Sequence, residues 1–172
     1  MKLVGVVGVV ALAVALQTAL ARYAVGTAWA FDLVLVGVVY AALRWGPSAG
    51  VLAGTLGGLT QDALAGGVVG VGGLSATVVG FSAGLFGQQF IITRPLPRML
   101  LVAGATVAHR GLILVIRAAI DQRWSVTSWL GMLGELSLNA LAAFVLYQGA
   151  ETLPLLARRR PTRRSGLRAR KW

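Results

Sequence analysis

The chain has 172 residues, of which 57% are hydrophobic and only 12% charged, and its mean hydropathy is +0.79. A soluble domain of this length carries about twice that share of charged residues, so the composition excludes a soluble enzyme and favours one membrane-embedded domain. The net charge of +11 does not indicate a nucleic-acid-binding protein, because eight of the 16 Lys and Arg residues lie between Arg158 and Lys171.

Six apolar segments follow one another along the chain and predict an all-α membrane protein, a bundle of about six transmembrane helices. In chain order, the segments cover residues 3–21, 31–43, 46–64, 72–92, 98–120 and 128–149. Glycine and proline in the connections, such as Gly46, Pro47, Pro95 and Pro97, are expected to interrupt the helices. Because the connections are short, consecutive helices are expected to be antiparallel neighbours.

The basic residues predict the orientation of the bundle. With six spans, both termini lie on one side, together with Lys2, Arg44, Arg94, Arg98 and the basic tail. The opposite loops contain only Arg22 and Arg123. The positive-inside rule therefore predicts cytoplasmic termini. We expect a polytopic transmembrane domain over residues 1–157 and a basic cytoplasmic tail, disordered in water and contacting anionic lipid, over residues 158–172.

The first segment has an alternative interpretation. Lys2, the apolar run after it and the sequence Ala19-Leu20-Ala21 resemble a signal peptide with its cleavage site. Cleavage would leave five spans with the tail still inside. The apolar run is about 19 residues long, which is long for the core of a signal peptide, so we favour an uncleaved first helix.

Small residues recur at a spacing of four in three segments. They are Ala11, Ala15 and Ala19 in the first, Gly50, Gly54 and Gly58 in the third, and Gly80 and Gly84 in the fourth. Residues four apart lie on one helix face, and in lipid such faces allow helix backbones to approach closely. These faces either pack inside the bundle or dock a helix of another subunit. We favour internal packing for the third and fourth segments and leave both interpretations open for the first.

Ionisable residues at membrane depth are costly and are usually paired. Arg110 in the fifth segment and Glu135 in the sixth lie at similar distances from the loop between them, which predicts an ion pair between neighbouring helices. Asn139 shares the helix face of Glu135, and Arg117 lies nearer the outer surface, which its long side chain can reach. We favour a structural clasp between two helices over a polar cavity or a proton path.

Two carboxylates are expected at the outer side of the membrane. Asp32 begins the second segment and Asp62 ends the third, both near Arg22. Paired carboxylates can perform acid–base catalysis, but no nucleophile motif, second histidine beside His109 or phosphate-binding loop accompanies them. We therefore predict a non-enzymatic protein with no cofactor and no metal, in which Asp62 bonds the backbone of the glycine-rich turn after it.

One region of the sequence resembles a known family. The residues that carry the similarity are Phe31-Asp32-Leu33-Val34-Leu35, Tyr40-Ala41-Ala42-Leu43-Arg44-Trp45-Gly46-Pro47, Gly50, Gly54, Gly58, Gln61-Asp62, Gly66-Gly67, Gly70 and Gly80-Phe81. This block is similar to the rod shape-determining protein MreD of bacteria, closely over about residues 31–90. One departure is Phe31, where the family pattern has proline before the aspartate.

The resemblance implies a subunit of the machinery that synthesises peptidoglycan during cell elongation, in the bacterial cytoplasmic membrane. It implies that the chain binds MreC, a single-span protein, and acts beside MreB, RodA and a class B penicillin-binding transpeptidase. It also implies a fold similar to the substrate-binding subunits of energy-coupling-factor vitamin transporters. The leading hypothesis is thus a membrane scaffold that recognises the MreC helix. The alternative is a substrate-binding subunit of a small-molecule transporter, which requires a polar pocket near the outer surface.

Overall fold

The computed structural model describes residues 2–21, 31–66, 68–89, 95–121 and 129–158, and this part of the chain forms six α-helices and no strand. The helices are α1 (Lys2–Ala21), α2 (Leu33–Trp45), α3 (Pro47–Ala65), α4 (Val71–Gln89), α5 (Pro95–Asp121) and α6 (Trp129–Arg158). The predicted all-α architecture of six helices is confirmed. The basic tail beyond Arg158 lies outside the described residues, as do Arg22, Arg94 and Arg123.

Three of the described helices are long and apolar enough to cross a membrane. They are α1, α4 and the stretch Leu96–Ile120 of α5. Helix α2 is apolar but has only 13 residues, which is shorter than a full span. A membrane location is therefore compatible with the fold, whereas the number of six spans stays a prediction.

Glycine and proline set several helix ends as expected, with one correction. Gly46 alone separates α2 from α3; its φ of +97° suits glycine, and Pro47 occupies the first turn of α3. The proline-containing stretch was expected to precede the fifth helix, but α5 begins at Pro95 itself. The first turn of a helix tolerates proline because its N–H groups have no partner within the helix. Helix α6 also continues past its expected end at residue 149 to Arg158.

The shortest helix, α2, lies at the centre of the bundle. It contacts each of the other five helices, whereas α1 contacts only α2 and α3 among the described residues. Consistent with this position, α2 is buried on all sides, with Leu35, Val36, Val38 and Val39 at most 1% exposed. The other helices surround it in the order α1, α3, α4, α5, α6, and no contact between α1 and α6 closes the ring within the described residues.

Helices α3 and α4 form the most extensive helix–helix contact, and glycine makes it possible. A Cβ atom on Gly54 would lie 2.5 Å from the carbonyl oxygen of Ala76, and one on Gly58 would lie 2.6 Å from the Cα of Gly73. Gly50 and Gly80 lie against each other in the same way. The two backbones are therefore in direct contact, which no larger residue would permit at these positions.

The two ends of the bundle differ in charge among the described residues. Gly5, near the start of α1, packs on the ring of Trp45, which follows Arg44 at the end of α2. Arg98 stacks on Tyr147, 4.9 Å from the ring centroid, and Tyr147 contacts Tyr40 of α2. These contacts bring basic residues to the end of the bundle that contains the start of α1. Asp32 and Asp62 lie toward the other end, and the orientation of the bundle in a membrane stays a prediction.

Candidate functional site

The candidate site is a cluster of buried polar side chains at the start of the central helix. Its first member is Asp32, which is only 5% exposed and is the N-cap of α2. Its Oδ1 accepts a hydrogen bond of 2.9 Å from the backbone N–H of Leu35, which satisfies one of the free donors of the first turn. Sequence alone accounts for this contact, since an aspartate directly precedes an apolar helical run.

Helix α6 supplies the second member, Asn139, which is fully buried. Its Oδ1 accepts a hydrogen bond of 2.8 Å from the backbone N–H of Asp32, and its Nδ2 donates to the hydroxyl of Thr106 on α5 at 3.2 Å. Thr106 in turn donates to the carbonyl of Val102 in its own helix. Asn139 therefore connects the start of α2 to both α5 and α6, although 107 residues separate it from Asp32.

His109 and Gln61 complete the cluster around the Asp32 carboxylate. The Nε2 atom of His109, on α5, lies 3.5 Å from Oδ2 of Asp32, and His109 is 4% exposed. Gln61, on α3, donates to Oδ1 from its Nε2 at 3.3 Å. The Nδ1 atom of His109 is buried and has no hydrogen-bond partner among the described residues. Four helices thus contribute side chains to one buried network.

The chemistry available to this network is limited. An aspartate beside a histidine can hold a proton, but acyl or phosphoryl transfer also needs a nucleophile within reach of the base. The hydroxyl in this network, that of Thr106, is engaged with Asn139 and with the backbone of its own helix. Among the described residues, no group of three or more His, Cys, Asp or Glu side chains could hold a metal ion. The arrangement is best suited to joining helices.

A second polar contact lies on the next residue of α5. Nε of Arg110 donates to both carboxylate oxygens of Glu135 on α6, at 2.9 and 2.8 Å. The ion pair expected from the sequence is therefore present in the structure. The Glu135 side chain is 5% exposed, whereas that of Arg110 is 35% exposed. Burial of the carboxylate with its partner explains how this charge is accommodated in the bundle.

Asp62 forms a separate set of hydrogen bonds. Its carboxylate accepts hydrogen bonds from the backbone N–H groups of Gly70, Gly72 and Gly73, at 2.8, 3.2 and 3.0 Å. It therefore caps the start of α4 and connects the end of α3 to it, as expected for a carboxylate beside a glycine-rich turn. The Asp32 carboxylate thus caps the start of α2, and the Asp62 carboxylate, although it belongs to α3, caps the start of α4.

The remaining candidate residues divide into buried and exposed groups. Gly50, Gly54, Gly58, Gly80 and Gly84 are buried where α3 and α4 meet. The alanine face of α1 is exposed, because α1 buries the opposite face through Val6, Val10 and Ala13. The exposed alanines are Ala11, Ala15 and Ala19. Arg117 on α5 is exposed as well.

Sequence reasoning identified two members of the cluster, Asp32 and Asn139, as site residues but did not bring them together. Asp32 was grouped with Asp62, and Asn139 with Glu135, whereas the structure joins Asp32 to Asn139. Gln61, Thr106 and His109 were not identified as site residues. A usable signal exists on α5, where Thr106 and His109 are three residues apart and share a face that also carries buried apolar residues.

Comparison of the chain with known family models, with curated proteins and with solved structures finds no match.

Proposed function

We propose that this chain is a non-enzymatic membrane subunit of the bacterial cell-elongation machinery, of the MreD type, and that it supports peptidoglycan synthesis by binding an MreC-like single-span protein. In this proposal the chain crosses the cytoplasmic membrane six times, with both termini in the cytoplasm and the basic tail on anionic lipid. RodA, a class B penicillin-binding transpeptidase and MreB are the further partners that the resemblance implies.

The observation that carries the proposal is that the polar groups at the starts of α2 and α4 bond one another and the helix ends. Asp32 binds the start of α2, Asn139 and Gln61 bind Asp32, and Asp62 binds the start of α4. Groups that satisfy one another hold helices in place and offer little to a substrate. A rigid bundle with such a centre suits a scaffold better than an enzyme.

The family-like block supports the more specific part of the proposal. The residues that resemble MreD form the central helix α2, its aspartate cap and the glycine contact between α3 and α4. They are therefore the residues on which this fold depends, and the similarity concerns the architecture of the bundle. The exposed apolar residues of α1 and α5, such as Leu12, Val107 and Val115, supply surfaces for partner helices.

The alternative, a substrate-binding subunit of a small-molecule transporter, has one observation in its favour. The buried Nδ1 atom of His109 has no partner among the described residues and lies in the polar cluster. The Asp32 carboxylate and the Asn139 side chain already have hydrogen-bond partners, so a ligand there would find one free atom rather than a set of polar groups. We therefore rank this function second. A small-molecule ligand that raises the melting temperature of the purified chain would favour it.

Co-purification tests the leading proposal. The tagged full-length chain is co-expressed with the MreC-like single-span protein of the same bacterium and purified in a mild detergent. We expect the two proteins to elute together in a fixed ratio, and we expect depletion of the chain to give rounded cells. Loss of the single-span protein during the first wash, at a detergent concentration that keeps the chain monodisperse, would contradict the proposal.

A further inference from the structure

The two ring nitrogens of His109 have different surroundings. His109 is the single histidine of the chain, and its side chain is buried where α5 meets the start of α2. Nε2 lies 3.5 Å from Oδ2 of Asp32. Nδ1 is buried as well, but it has no hydrogen-bond partner among the described residues. One nitrogen therefore faces an acceptor, and the other faces none.

These surroundings favour one protonation state of the ring. A neutral imidazole carries its proton on one nitrogen, and the partners of the two nitrogens decide which one. The carboxylate of Asp32 only accepts hydrogen bonds, so the proton belongs on Nε2 and Nδ1 keeps a lone pair. A second proton would create a charged N–H at Nδ1 with no acceptor. A buried donor in that position bears the full cost of its lost hydration.

The nearest charges do not compensate this cost. Asp32 attracts a second proton to the ring, but its Oδ1 already accepts hydrogen bonds from the backbone N–H of Leu35 and from Gln61. Arg110 follows His109 directly on α5, and its positive charge repels the proton. The attraction of one carboxylate that is already hydrogen-bonded is thus opposed by both burial and a neighbouring cation.

The other elements around the ring add little charge. From α6, Glu135 is engaged by Nε of Arg110 through both of its oxygens. From α3, the carboxylate of Asp62 accepts hydrogen bonds from three backbone N–H groups at the start of α4. Helix α4 packs on α5 but contains no ionisable residue. The balance therefore favours a neutral ring at His109.

We propose that His109 holds α5 to the start of α2 as a neutral imidazole, with its proton on Nε2 toward Asp32, and that a second proton on Nδ1 breaks this contact. A histidine in water takes up a proton near about pH 6.5, so an opened bundle binds more protons at His109 than the closed one. The contact is therefore stable above about pH 6.5 and weakens as the pH falls below it. The contact lies within the bundle and involves no partner.

The single histidine permits a direct test of the protonation state. The full-length chain is labelled with ¹⁵N in histidine only and purified with an affinity tag that contains no histidine, so every ring signal comes from His109. The ¹⁵N chemical shifts of the two ring nitrogens distinguish the two neutral tautomers and the imidazolium. At about pH 7.5 we expect a neutral ring with its proton on Nε2. An imidazolium at that pH, or a proton on Nδ1, would overturn the proposal.

A matched substitution tests the effect on stability. His109→Gln keeps an N–H donor that can reach Asp32, but its carboxamide takes up no proton. Melting temperatures of both purified full-length chains are measured in one detergent between about pH 7.5 and about pH 5. The other titratable groups are common to both chains. We expect the melting temperature of the parent to fall about 4 °C further than that of the variant, mainly below about pH 6.5.

The remaining outcomes contradict the proposal in different ways. Parallel melting temperatures of the parent and His109→Gln over this range would show that the contact is not sensitive to acid. A parent that gains stability in acid relative to the variant would show that the imidazolium is the bound form, with Asp32 as its counter-ion. Should His109→Gln fail to fold, the labelled parent decides, because an imidazolium that forms without loss of helix packing would also overturn the proposal.

Discussion

Glycine has opposite surroundings in two regions of this bundle. Between α3 and α4, a Cβ atom on Gly54 or Gly58 would collide with the backbone of the neighbouring helix. On the outer face of α5, a Cβ atom on Gly104 or Gly111 would meet no atom within 4 Å. Both pairs lie within helices, where glycine is less favourable than alanine by about 1 kcal/mol. The first pair compensates this cost by helix packing inside the chain, and the second does not.

This difference separates internal packing from a surface that is available to a partner. Glycines at a regular spacing indicate close helix approach in either case, so the sequence pattern alone does not distinguish the two regions. The surroundings of each Cβ position do distinguish them. The following substitutions test the comparison, in order of decreasing expected effect.

Gly54→Val should have the largest effect. The added side chain would collide with the carbonyl of Ala76 and force α3 and α4 apart, so we expect a loss of about 3 kcal/mol in the free energy of unfolding. Reversible unfolding in mixed detergent micelles measures it. The matched control is Gly104→Val, which places the same side chain in open space and should change stability by less than about 0.5 kcal/mol. Equal losses in the free energy of unfolding for Gly54→Val and Gly104→Val would show that the two regions do not differ in packing.

Asn139→Ala should have an intermediate effect, and it extends the comparison to polar residues. It leaves the buried N–H of Asp32 without an acceptor and removes a donor from Thr106, so we expect a loss of about 2 kcal/mol. The control is Ser137→Ala on the same helix, because the exposed Ser137 hydroxyl donates only to Leu133 one turn away. Unfolding curves for the two variants should therefore separate clearly. A neutral Asn139→Ala would mean that the cluster does not join the helices.

Gly111→Ala should have the smallest effect, and in the opposite direction. Alanine favours the helix over glycine by up to about 1 kcal/mol, and its methyl group meets no neighbour, so the isolated chain should become slightly more stable. A shift of the melting temperature by a few degrees upward would agree with this. A clear decrease would reveal an internal contact at this surface.

Much of this architecture follows from the sequence. The apolar segments predict six helices, the Gly46-Pro47 pair predicts the break between α2 and α3, and Asp32 before an apolar run predicts a capped helix start. The ion pair of Arg110 with Glu135 follows from similar distances to one loop. These features depend on local rules, because turn residues, helix caps and neighbouring antiparallel helices each involve residues that are near in sequence or joined by a short connection.

Other features depended on the tertiary structure. Residues 32 and 139 lie in helices that are far apart in sequence, and only the arrangement of α5 and α6 around α2 brings the N–H of Asp32 to the Asn139 side chain. The same holds for the central position of α2, which its length of 13 residues and its apolar composition do not reveal. A helix buried on all sides and a helix in lipid have equally apolar sequences, so composition cannot place either of them.

The sequence by itself determined that the chain is helical, apolar and divided at glycine and proline, because backbone preferences and hydrophobic runs are local properties. The tertiary structure decided which glycines are crowded and which polar groups meet. Those properties depend on the distances between helices, and lipid-facing and protein-facing surfaces of a membrane helix differ little in residue type.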